Sequence, residues 1–157
     1  MPKIELEITV HASVERVFDL ARCIDLHAET MNKYREKAVA GITKGLINSG
    51  ESVTWEAVHF GFKQRLTSRI TEFDRPRHFR DVMVSGAFKS FTHDHFFTQT
   101  GEETLMRDVF VYSSPFGFLG RAADAVFLEN YMQKILRERN ELIKSVAESN
   151  SWQKYLA

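Results

Sequence analysis

The sequence predicts an α+β domain: one strand, two short helices, six antiparallel strands and one long C-terminal helix. Three observations carry that prediction. From Glu36 to Tyr112 the apolar residues keep a period of two, broken at five clusters of turn residues. From Arg121 to roughly Glu148 the period becomes helical. The registers that the short turns impose on neighbouring strands also agree with one another, dividing the sheet into an apolar and a charged face.

Each element follows from its own residues. Ile4, Leu6, Ile8 and Val10 alternate with Lys3, Glu5, Glu7 and Thr9, the pattern of a half-buried strand. Ser13 caps a helix that carries Val14, Val17, Phe18 and Ala21 at helical spacing, and a second short helix spans Ile24 to Glu29. The six later strands are read at 36–44, 51–59, 62–73, 78–84, 88–98 and 103–112. Asn48-Ser-Gly50, Gly61, Asp74-Arg-Pro76, Ser85-Gly86 and Thr100-Gly101 separate them, each with residues that favour tight turns. After Ser114-Pro-Phe-Gly117 and Gly120, the last helix presents Leu128, Met132, Ile135, Leu142 and Val146 as an apolar stripe.

The turns set the pairing. Gly61 places Ala57 opposite Gln64, Trp55 opposite Leu66 and Glu56 opposite Arg65. The Asp74–Arg77 turn sets Ile70 against Asp81 and Ser68 against Met83, and the Gly86 turn sets Phe79 against His93 and Asp81 against Phe91. Pairing Thr98 with Glu103 puts His95 opposite Met106, His93 opposite Asp108 and Phe91 opposite Phe110, with an Asp94–Arg107 ion pair on the reverse side. Val53, Trp55, Leu66, Ile70, Phe79, Met83, Phe91, Phe97, Met106 and Phe110 then share one face, and Lys63, Arg65, Arg69, Arg80 and Asp94 the other. A sheet this long twists and curls, and only the long helix is large enough to cover its concave face.

Composition narrows the function. The 157 residues suit a single domain with a real core, and 21 basic residues balance 21 acidic ones. A neutral chain lacks the basic surface of a general nucleic-acid binder. No apolar run is long enough for a membrane span, and the alternating N-terminus is unlike a signal peptide. The single Cys23 excludes an internal disulfide and is expected to be a small buried side chain in a cytoplasmic, reduced protein.

Several features together resemble the START / birch-pollen-allergen-like superfamily, also called helix-grip or SRPBCC proteins. The nearest likeness is to bacterial members described as polyketide cyclase/dehydrase or lipid-transport proteins. The resemblance covers residues 3–149 and rests on the element order, Val14-Glu-Arg-Val-Phe18, Gly50-Glu-Ser-Val-Thr-Trp55, His93-Asp-His95-Phe96 with Asp108, Pro115-Phe-Gly117, and Arg139-Asn140. It implies a seven-stranded curved antiparallel sheet wrapped around the C-terminal helix, with a ligand cavity between them, in a single domain over 1–149. It does not fix an activity, since members include carriers, cyclases, hydroxylase domains and chaperone co-factors. The tail 150–157 lies beyond it, and Trp152 and Tyr155 are expected to pack on the domain or on a second subunit in a homodimer.

The expected binding residues are Trp55, His59, Leu66, Phe79, Asp81, Met83, Phe91, His93, His95, Met106, Asp108, Phe110, Tyr112, Met132 and Arg139. Polar groups taken out of water must bond one another, water or a ligand. The leading reading is a carrier of an apolar or amphipathic small molecule, with the His/Asp group choosing its polar head and no cofactor. The alternatives are an enzyme of cyclase, dehydrase or isomerase type using His93, Asp108 and Asp81 for acid–base chemistry, and an interaction module with a filled core. A metal held by His93, His95 and a carboxylate is weighed and set aside, because His-x-His is common by chance and no third histidine has a predictable place. Arg139 interrupts the helix stripe and is expected to snorkel to the rim, or else to meet a ligand carboxylate or Asp81.

Overall fold

A computed structural model describes residues 1–114 and 127–157. The elements are β1 (Lys3–Val10), α1 (Val14–Ala21), α2 (Ile24–Thr30), a 3-10 turn (Asn32–Tyr34), β2 (Lys37–Gly41), β3 (Ser52–His59), β4 (Phe62–Asp74), β5 (His78–Ser85), β6 (Ser90–Thr100), β7 (Glu103–Ser113), α3 (Glu129–Ala147), a second 3-10 turn (Asn150–Trp152) and α4 (Gln153–Leu156). The expected Pro115–Gly120 entrance and the first turns of the last helix lie outside the described residues. Seven strands form one curved antiparallel sheet in the order β1-β7-β6-β5-β4-β3-β2.

Local chemistry explains the boundaries. The Ser13 hydroxyl accepts from the Arg16 amide and so caps α1. Phe60 and Gly61 form the two-residue loop of the β3–β4 hairpin with φ of 54° and 79°, as a primed turn requires. A Cβ at Gly41 would lie 2.2 Å from the Ser52 carbonyl oxygen, so only glycine lets β2 approach β3 there. The β2 strand ends at Gly41, short of the expected Lys44.

Two registers match the sequence reading: Trp55 pairs with Leu66, and Ile70 with Asp81. Two differ by two residues. Phe79 faces His95 rather than His93, and Asp81 faces His93 rather than Phe91. Across β6–β7, His95 faces Asp108, His93 faces Phe110 and Phe91 faces Tyr112. The cause is the turn: Thr100 pairs with Glu103, closing the hairpin on two residues instead of four. A two-residue slip keeps every side chain on its face, so the face assignments survive while the partners change. Asp94 therefore pairs with Arg80 and His78. Arg107 stacks over Phe96 instead.

Among the described residues the interior has two apolar clusters. The larger packs α1, α2 and the C-terminal half of α3 on the sheet, with Phe18 wedged edge-on against Phe73, Phe79 and Phe97. The smaller joins Ile4, Leu6, Phe91, Phe110, Tyr112 and Leu136. Cys23 is 1 % exposed, and burial raises its thiol pKa, as befits an inert packing residue. Trp152 and Tyr155 fold back onto the domain: Arg16 lies over the Trp152 ring at 4.2 Å, and the Tyr155 hydroxyl donates to Glu29. No helix among the described residues is long and apolar enough to cross a membrane.

Candidate functional site

Between the concave sheet face and α3 lies a pocket of about 560 Å³. Its walls come from elements whose inward positions are apolar: Trp55 and Ala57 on β3, Leu66 and Ile70 on β4, Phe79 on β5, Phe91 on β6, Phe110 on β7, and Met132, Ile135 and Leu136 on α3. The lining fits the site of a mostly apolar ligand with a few convergent polar groups.

The polar groups gather on β5, β6, β7 and α3. Asp108 is the centre and is fully buried. Its Oδ2 accepts from Asn140 Nδ2 at 2.6 Å, and its Oδ1 accepts from His93 Nε2 at 3.0 Å. His95 Nε2 bonds Asp81 Oδ2 at 2.7 Å. The second ring nitrogen of His95 lies 3.1 Å from Asp108 Oδ1 but off the hydrogen-bond axis. Arg139 does not snorkel. It is 5 % exposed, with Nη1 on Asn140 Oδ1 and 3.7 Å from Asp108 Oδ1, and Nη2 on the Ala21 carbonyl. The interior position is set by the helix turn: Arg139 lies four residues after Ile135 and four before Ile143, both buried.

The charges balance. Burial pushes the Asp108 carboxyl up, but the bond from His93 and the close His95 ring outweigh it and hold the pKa well below the usual carboxylate range. Asp81 is lowered for a similar reason, His95 overcoming its burial. Burial alone would lower His95, yet its contacts with Asp108 and Asp81 raise it. Burial and the neighbouring His95 lower His93. Two carboxylates thus sit with Arg139 and a His95 whose charged form they favour, while the charged form of His93 is disfavoured.

Of the residues expected at the site, Trp55, His59, Leu66, Phe79, Asp81, Phe91, His93, His95, Phe110, Met132 and Arg139 line the pocket. Met83, Met106, Asp108 and Tyr112 do not. Met106 is fully buried in the larger core cluster, Tyr112 in the smaller one, with Met83 packed against it. Asp108 sits behind the imidazoles of His93, which bonds it, and His95, 3.1 Å away. The sequence reading used Asn140 only as part of the resemblance and did not place it at the site, although Leu136 and Ile143 flank it at helical spacing and mark its face as buried. It also missed the aromatic rim, where Tyr131 bonds His59 Nδ1 at 2.7 Å and Phe60 packs on Tyr131 at 4.6 Å. Burial, then Tyr34, pushes the Tyr131 hydroxyl up to about 12, and burial lowers His59, so the phenol donates to a neutral ring.

Among the described residues, two groups bring three potential metal-ligand atoms within 4.8 Å of one another: Asp81 with His93 and His95, and Glu72 with His78 and Asp94. In the first, both histidines already bond carboxylates and Arg139 adds positive charge nearby. In the second, Arg80 already occupies both acids. Neither donor set is poised for a cation.

A family model described as "Polyketide cyclase / dehydrase and lipid transport" matches residues 1–148. A search of curated proteins finds no match. Among solved structures, a Thermus thermophilus protein superposes with a TM-score of 0.74 at 19% identity, covering 92% of this chain and 95% of that one. Major latex-like protein 151 from Panax ginseng gives 0.68 at 14% identity, with 94% and 98% covered. A START superfamily protein from Mycobacterium smegmatis gives 0.70 at 10% identity, with 93% and 97% covered. At such identities the likeness is one of fold.

Proposed function

The chain belongs to the polyketide cyclase / dehydrase and lipid transport family, and from that premise we propose that it binds and carries an apolar or amphipathic small molecule in the pocket between sheet and α3. The family and fold make it a START-like ligand-binding domain; the carrier role and the lining residues are our reading. One observation carries it: a pocket of about 560 Å³ whose walls are predominantly apolar and aromatic. Burial of such walls by an apolar ligand stabilises by about 25 cal/mol per Å² of apolar surface removed from water. A filled-core interaction module fits this interior poorly.

A second reading is favoured by the buried His93–Asp108 bond at the pocket floor. An enzyme would use that pair to move a proton on a bound carbonyl compound. Against it, His93 is held below its usual pKa and is a weak base.

Trp55 lines the pocket and Trp152 lies outside it, so ligand entry has a built-in reporter. A neutral fluorescent probe, N-phenyl-1-naphthylamine, is expected to quench tryptophan emission saturably, and Trp55→Phe is expected to abolish most of that quenching. Native mass spectrometry of the purified chain is expected to show a retained small-molecule mass. Absence of both the quenching and the retained mass would refute the carrier reading.

A further inference from the structure

The carrier reading leaves open which polar head the pocket takes, and the Asp108 network answers that from its hydrogen-bond directions. An ionised carboxylate only accepts. His93 Nε2 therefore carries the proton it shares with Asp108 Oδ1, at 3.0 Å. A neutral imidazole with a protonated Nε2 has a bare lone pair on Nδ1. No hydrogen bond from a described residue reaches that Nδ1, and His93 lines the pocket. Asp81 lines the same floor with its side chain 18% exposed, the most accessible of the group, and only its Oδ2 is taken, by His95. Asp81 Oδ1 is then a second acceptor.

Several of the donors in the network are taken up within it. His95 spends Nε2–H on Asp81, and its Nδ1 is buried away from the pocket, 3.1 Å from Asp108. Arg139 places one N–H of Nη1 on Asn140 and one of Nη2 on the Ala21 carbonyl, with Asp108 offsetting its charge at 3.7 Å. Asn140 Nδ2 is spent on Asp108. An incoming carboxylate would meet a lone pair and a carboxylate oxygen.

We propose that the pocket floor selects an apolar ligand whose polar head donates a hydrogen bond, a hydroxyl rather than a carboxylate, with His93 Nδ1 and Asp81 Oδ1 as its acceptors. This rests on the carrier reading. The head group sits at the floor and the hydrocarbon runs along Trp55, Phe79 and Phe91 toward the α3 side of the pocket.

The test compares 1-decanol, decyl methyl ether and decanoate at neutral pH as displacers of N-phenyl-1-naphthylamine from the full chain. A net hydrogen bond corresponds to roughly a twofold to tenfold change in affinity, so decanol is expected to bind about fivefold tighter than the ether and more tightly still than decanoate. His93→Phe and Asp81→Asn are each expected to shrink the decanol-to-ether ratio, while probe affinity and melting behaviour report that the pocket is intact. Decanoate equal to or tighter than decanol would overturn the proposal and make Arg139 an anion anchor. Equal alcohol and ether affinities, or ratios unmoved by both substitutions, would overturn it while leaving the carrier reading standing. Absence of any probe binding, together with no retained small-molecule mass, defeats both.

Discussion

Asp108 is a carboxylate with no access to solvent, and it stays ionised because Asn140, His93, His95 and Arg139 surround it. Removing the charge from such a group leaves Arg139 and His95 under-compensated, and breaking a buried pair costs about 3–5 kcal/mol. The Asp108→Asn chain is therefore expected to unfold in urea with a stability lower by about that amount near neutral pH. The pH dependence has a definite sign. The folded pKa of Asp108 is depressed, so its contribution is complete above about pH 4 and is lost as pH falls through the folded value. The gap between wild type and Asp108→Asn should narrow on acidification below about pH 4; a constant gap would show that the charge is not what stabilises. His95 acts oppositely: its pKa is raised, so its contribution is complete below about pH 6.5 and is lost as pH rises through the folded value. At this scale the sequence showed which residue types meet but not how. The His93–Asp108 bond was expected between directly opposed residues and is instead diagonal, since His95 stands opposite Asp108.

Element by element, legibility depended on the turns. The Phe60-Gly61 loop has a length that allows one register, and the β3–β4 pairing was read correctly from it. The Gly86 and Gly101 hairpins admit alternatives two residues apart that bury the same faces, so hydrophobic pattern could not choose between them. Helix α3 was placed correctly over its described length, yet its stripe was read one position off at Leu142, where Ile143 is the fully buried residue. The C-terminal tail shows the same limit, since eight residues carry too little periodicity to reveal a docking surface. Trp152, Tyr155 and Leu156 pack against the larger core cluster, and Lys154 pairs with Glu29 at 3.2 Å. Deleting residues 150–157 should lower the unfolding free energy by about 2 kcal/mol, given three partly buried apolar side chains. Unchanged urea midpoints would mean the tail only rests on the surface.

For the whole molecule, a pocket between sheet and helix is apolar surface that folding leaves unfilled, and a ligand that fills it binds only the folded chain. Such a ligand raises stability by about 2.7 kcal/mol at a hundredfold excess over its dissociation constant. N-phenyl-1-naphthylamine is accordingly expected to raise the melting temperature in proportion to the logarithm of its concentration. A probe that quenches Trp55 without moving the transition would be bound equally well by the unfolded chain, contrary to a pocket that only the fold creates. The neutral overall charge and the curved sheet were readable from composition and alternation. The two-cluster interior was not, because it depends on where α3 crosses the sheet.

The Phe60-Gly61 turn has a consequence for anyone redesigning this chain. A phenylalanine at φ of 54°, 53 % exposed, occupies a site where asparagine or glycine would sit with less strain. Stability-guided or consensus engineering would replace Phe60 early and be rewarded for it, since the turn relaxes and a greasy surface patch disappears. The same change strips the ring that stacks on Tyr131 at the pocket rim. A thermostability screen would score as an improvement what a ligand-exchange assay scores as damage.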